Sequence, residues 1–166
     1  KPMKLFKGTI QNVILEKWES QAQFTIHLTE PDQLYVQVNS QQADVDITVY
    51  AKDKLQPSEK YVWHGVNNFV RLSYANETVT PYLEFFVVIK SKLDKSFTVV
   101  YDQWGKCAPT NINQALLVDI PKGSYPRCFE FYMSKPAPLV IVAVDSYFDR
   151  GTGQNTIFLE WNQELE

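Results

Sequence analysis

The stretch Ala43-Asp44-Val45-Asp46-Ile47-Thr48-Val49-Tyr50, answered further along the chain by Ser96-Phe97-Thr98-Val99-Val100-Tyr101, decides the fold class. Both segments are dense in β-branched and aromatic side chains, which suit a pleated, half-buried surface. The first reads as a buried strand with an acidic entry and the second as a closing strand. Together they predict a β-sandwich.

Outward from these segments the chain breaks into short runs of alternating or continuous apolar character, at 9–15, 23–29, 33–39, 46–51, 61–63, 68–74, 82–90 and 96–101. In the second run Phe24, Ile26 and Leu28 share one face and Thr25 and His27 the other, the pattern of a strand with one wet side. Pro31-Asp32, the stretch 54–58, the stretch 76–81 and Leu93-Asp94-Lys95 punctuate the runs, and Pro57 and Pro81 disfavour continuation of a central strand. Helical spacing is nearly absent. The runs fit one complete antiparallel, jelly-roll-like β-sandwich over residues 4–103, an all-β fold.

A sandwich needs about 100 residues, so the rest of this 166-residue chain must be placed elsewhere. Residues 104–166 are read as a partial second β unit, packed on the first or continuing it, with runs at 115–120, 127–133, 138–144 and 156–161. Superimposing Phe24 on Phe129 also lays Pro31 on Pro136 and Leu34 on Leu139. That is the mark either of a tandem repeat or of any two half-buried strands joined by a Pro turn.

Composition excludes several functions. An aromatic content of 14 % with 6 glycines belongs to a packed globular protein. Net charge is −3, and the basic residues are scattered, so no nucleic-acid partner is expected. The longest apolar run, 139–144, is too short to cross a bilayer, so no transmembrane segment is expected. The opening Lys1-Pro2-Met3 suggests a processed piece, with a larger parent polypeptide or a partner chain. Cys107 and Cys128 are the only cysteines; they pair in an oxidising compartment or stand as two half-buried thiols, and both alternatives stay open.

Catalysis has a small cast. His27 reads as a surface residue of a strand and His64 as a turn residue. Gly105-Lys106-Cys107 lacks what a nucleophilic thiolate requires, since Pro109 and strand-like residues follow and both histidines lie upstream. No catalytic residue is assigned, and the protein is not expected to be an enzyme. For a metal, Asp44 and Asp46 project to the same side of a strand entrance and could share calcium, although that ion takes six to eight oxygens. Asp145 and Asp149, beside the loop 151–155, are a second candidate pair. No other cofactor is implied. Among the aromatic residues near turns, Trp63 and Tyr147 are the ligand-contact candidates.

Two family resemblances attach to these residues. The order Phe24-x-Ile26-x-Leu28, Pro31-Asp32, Leu34-Tyr35-Val36-Gln37-Val38, Asp44-x-Asp46-Ile47-x-Val49-Tyr50, Tyr82-Leu83-Glu84-Phe85-Phe86-Val87-Val88 and Ser96-Phe97-Thr98-Val99-Val100-Tyr101 resembles the bacterial pre-peptidase C-terminal domain over residues 8–101. That resemblance implies an accessory sandwich of secreted peptidases, used for substrate or matrix binding and sometimes holding calcium. Pro126-Arg127-Cys128-Phe129-Glu130-Phe131, Lys135-Pro136-Ala137-Pro138-Leu139-Val140-Ile141, Asp149-Arg150 and Ile157-Phe158-Leu159 look like the opening of a calpain-type β-sandwich. This second resemblance implies a cytoplasmic regulatory domain that binds calcium or anionic lipid. The expectation common to both is a non-catalytic binding module that recognises a protein, glycan or membrane surface, in a secreted or a cytoplasmic setting.

Overall fold

Val45, Ile47, Val49 and Ala51 are buried and Asp46 is exposed, so the strand that decides the fold class alternates as its residue types dictate. This strand belongs to a computed structural model that describes residues 1–40, 45–52, 62–65, 68–72, 82–92, 95–112, 127–135 and 138. The elements, in chain order, are β1 (Met3–Lys4), β2 (Gln11–Ile14), β3 (Gln21–His27), β4 (Leu34–Asn39), β5 (Val45–Lys52), β6 (Val62–His64), β7 (Phe69–Arg71), β8 (Glu84–Ser91), β9 (Ser96–Gln103), β10 (Ala108–Pro109) and β11 (Phe129–Glu130). The protein is all-β throughout the described residues.

Two sheets stack. Sheet I runs β1-β3-β8-β5-β6 and sheet II runs β2-β9-β4-β7. Without β1, the orders 3-8-5-6 and 2-9-4-7 are those of an eight-stranded jelly roll, in which consecutive strands alternate between sheets except at the β5–β6 pair. All pairings within that jelly roll are antiparallel. Two pairings outside it are parallel, contrary to the all-antiparallel expectation: β1 on β3, and β10 on β11. β1 lies against the free edge of β3, and Leu5 N continues the contact by donating to Thr25 O at 2.9 Å.

The core is the space between the sheets. Phe24, Ile26, Ile47, Val49, Phe85, Val87 and Ile89 of sheet I meet Val13, Leu34, Val36, Val38, Phe97, Val99 and Tyr101 of sheet II. Burying each such side chain stabilises the fold by about 1.5–3 kcal/mol.

Several expected boundaries shift. β7 is shorter than the run 68–74 within the described residues, and the run 127–133 yields only the short β11. His64, expected in a turn, is the last residue of β6 and pairs with Thr48. The runs 115–120 and 156–161, and all of 138–144 except Pro138, lie outside the described residues. Among the described residues no helix is long and apolar enough to cross a membrane.

Candidate functional site

β4 departs from strand alternation, because all six of its residues are buried. Leu34, Val36 and Val38 enter the core, so Tyr35, Gln37 and Asn39 point to the outer face of sheet II. The register sets Phe69 and Arg71 of β7 beside them on one flank and Thr98, Val100 and Asp102 of β9 on the other. Polar side chains on an outer face are ordinarily wet, so something must cover them.

The cover comes from beyond β9. Trp104 N donates to Gln33 O at 2.8 Å and Lys106 N to Gln103 O at 3.1 Å, closing a turn in which Gly105 takes φ +99°. That left-handed geometry favours glycine. The chain then doubles back into β10, which pairs with β11 to form a small ribbon. A disulfide between Cys107 and Cys128, with Cα atoms 4.6 Å apart, ties the two arms of the ribbon at its start.

The ribbon sets Arg127 on the outer face of sheet II. Its guanidinium lies 3.8 Å from the Phe69 ring centroid, and Nη2 donates to Gln37 Oε1 at 2.7 Å. Gln37 Nε2 in turn donates to Asn39 Oδ1 at 2.6 Å. Next to this chain of contacts Tyr35 stacks on Phe69, Phe69 tilts against Trp104, and the Arg71 guanidinium lies 4.1 Å from the Trp104 ring. Cations and rings alternate across the face, each contact worth about 0.5–2 kcal/mol according to its exposure.

Between sheet and ribbon lies a cavity of about 300 Å³. Tyr35, Gln37 and Phe69 form its floor, and Ala108, Arg127 and Cys128 one wall. Trp104, Gly105 and Lys106 line it from the turn; Gly105, Lys106 and Cys128 are exposed, so the cavity meets solvent on that side. Tyr35 is 3 % exposed, and its hydroxyl has no hydrogen-bond partner. Burial, reinforced by the negative charges of Asp102 and Glu130, holds the Tyr35 phenol well above the usual tyrosine range, so it remains a proton donor. Burial also pulls the Arg127 guanidinium down from its ordinary value. Among the described residues the ion pairs join Lys7 to Asp32 and His27 to Glu84, and neither includes Arg127. A half-buried cation thus rests on a ring and a neutral amide.

Of the residues expected to carry function, Cys128 lines this cavity, while Asp46 and Trp63 fall elsewhere. Asp46 is exposed on the outer face of β5 opposite Lys90, and among the described residues no three metal-ligating side chains gather. Asp44, Asp145, Asp149 and Tyr147 lie outside the described residues. Trp63 is half-buried and packs on the core against Phe85, its ring 6.2 Å away, as a lid on the edge of sheet I. Tyr35, Gln37, Phe69 and Arg127 were not foreseen. Their only sequence signal is a polar pair, Gln37 and Asn39, inside a strand that carries apolar residues on its other face.

No protein-family model matches the chain, and no curated protein matches it in sequence. Among solved structures it is similar to the pre-peptidase C-terminal domain of a collagenase from Bacillus anthracis, at 6 % identity and a TM-score of 0.44. The match covers 61 % of this chain and 95 % of that one. At that level the likeness assigns no residue of this chain a role.

Proposed function

We propose that the protein is a non-catalytic recognition module, an accessory domain whose contact surface is the ribbon-covered outer face of sheet II. The carrying observation is the cavity itself: Tyr35, Phe69 and Trp104 converge there with Gln37 and Arg127. Convergent rings with a few placed polar groups are the common make-up of binding sites. The residues of the first hundred that resemble an accessory sandwich of peptidases favour attachment to a protease or a surface protein. The surface recognised is that of a protein, a glycan or a membrane. Calcium at Asp44 and Asp46 is a separate part of the proposal, tested by whether calcium raises the melting temperature through mass action.

Amide and indole NMR shifts test the contact surface, with trialanine, maltotriose and benzyl alcohol as probes. The expected result is that at least one probe moves Trp104, Ala108 and Cys128 together while Trp63 stays unmoved. Shifts confined to the Trp63 edge, or no shifts with any probe, would remove the cavity from the reading.

A further inference from the structure

We infer that the cavity between sheet II and the disulfide-tied ribbon takes a carboxylate carried on a flat, ring-sized apolar body. The inference rests on the recognition reading above and names the ligand class of that site.

The charged end follows from the donors. Arg127 presents five N–H groups, and among the described residues its guanidinium has one oxygen acceptor, Gln37 Oε1. Taking a cation partly out of water without a counter-charge costs stability. An anion arriving beside it regains that cost. Lys106 adds a second cation on the solvent side. Arginine and lysine only donate, so the matching ligand group is an acceptor. Among the described residues no acidic side chain lines the cavity. Asp102 turns one carboxylate oxygen to Gln103 N at 2.7 Å, and Glu130 is exposed.

The body follows from the walls and the volume. Phe69 and Trp104 present rings, Ala108 a methyl group, and the space of about 300 Å³ is at the small end for a ligand pocket. A single ring fills such a site, whereas a bare phosphate would leave the rings with nothing to contact. A planar carboxylate also matches the guanidinium fork, which binds such groups through two parallel hydrogen bonds. Two sources supply this chemistry: a free aromatic acid, and the C-terminal carboxylate of a peptide that ends in an aromatic residue.

Titration of the full chain, followed by NMR shifts of Trp104, Ala108 and Cys128, uses benzoate, benzyl alcohol, benzylamine and inorganic phosphate. N-acetylphenylalanine and its C-terminal amide form the peptide arm. Benzoate is expected to bind about tenfold more tightly than benzyl alcohol, the worth of a charge-assisted hydrogen bond, with benzylamine and phosphate weaker still. Tighter binding of N-acetylphenylalanine than of benzoate, with its amide weak, would point to the peptide source; the reverse order would point to the free acid. Arg127→Gln should erase the preference for benzoate over the alcohol. Because that change can loosen the ribbon, Lys106→Gln, which leaves the Arg127 contacts intact, should weaken benzoate by a few-fold and benzyl alcohol by less. Equal affinity for acid and alcohol, preference for the amine, or phosphate matching benzoate would overturn the carboxylate assignment and leave the recognition reading standing. Absence of shifts with every probe would end both.

Discussion

Toward sheet I, sheet II presents Val36, Val38, Val70, Phe97, Val99 and Tyr101; on its other side it presents Tyr35, Gln37, Asn39, Phe69, Arg71, Thr98 and Val100. Both faces are largely buried, yet by opposite chemistry. The inner face is closed by apolar contact, which needs no direction and leaves almost nothing to satisfy. The outer face is closed by rings, cations and amides, each of which needs a partner in the right place. Three buried polar atoms there have none: Tyr35 Oη, Asn39 Nδ2 and Arg71 Nε. Each such atom costs about 1–3 kcal/mol. The inner face therefore holds the fold together, while the outer face gives up stability around and beneath the cavity.

The contrast can be broken most directly from the inside. Phe85→Ala, at a fully buried ring of β8, should cost about 3–5 kcal/mol by urea denaturation; a loss below about 1 kcal/mol would show that the core is not where the stability resides. Replacing both Cys107 and Cys128 by serine should cost about 3 kcal/mol in a thermal or denaturant melt. Hydrogen exchange sharpens that result, because the ribbon amides of Ala108 and Thr110 should exchange faster in the double variant while Val36 and Val87 in the core stay protected. Equal acceleration of both sets would make the two faces a single cooperative unit. Gly65→Ala should cost about 1–3 kcal/mol, since the added methyl would lie 2.9 Å from Ile47 Cβ and 3.1 Å from Phe69 O.

The inner face was legible in the sequence and the outer face was not, for a physical reason. Alternation along β3, β5 and β8 reports which side meets the core, and it is a local property readable two residues at a time. Gln37 and Asn39 obey the same rule, under which an outward polar side chain meets water. Their burial depends on Arg127, which lies 90 residues further along the chain, and no periodicity carries a contact of that range. Arg127 itself read as the first residue of a strand and as part of the calpain-type resemblance, with no contact to β4 implied. Trp63, two residues before Gly65, is half-buried with its ring 6.2 Å from Phe85, a contact that the local pattern does not show either. β1 and β10, two residues each, are too short to show a period, and their partners rather than their composition make them strands. The pairing of Cys107 with Cys128 stayed open in the sequence because the distance between two cysteines is a property of the fold.

Tyr35→Phe gives the smallest expected effect and the most selective one. It removes one oxygen and keeps the ring that stacks on Phe69. If the hydroxyl is an orphan, its loss at neutral pH should leave stability unchanged or raise it by up to about 1 kcal/mol, because a buried donor with no partner is a cost that the variant no longer carries. The pH dependence adds a second measurement. In the unfolded chain the phenol ionises near its ordinary value of 10.0, whereas in the folded protein burial keeps it protonated well above that point. The folded state then binds more protons, so wild-type stability should fall as pH rises above that value. Tyr101, also raised by burial, contributes part of the same slope and remains in the variant. Denaturation at pH 8 and pH 11 should therefore show the variant gaining on the wild type at the higher pH, with some alkaline loss left. A neutral-pH loss of more than about 1 kcal/mol would mean that the hydroxyl has a partner in solution, and the distinction between a satisfied inner face and an unsatisfied outer one would no longer hold at its central residue.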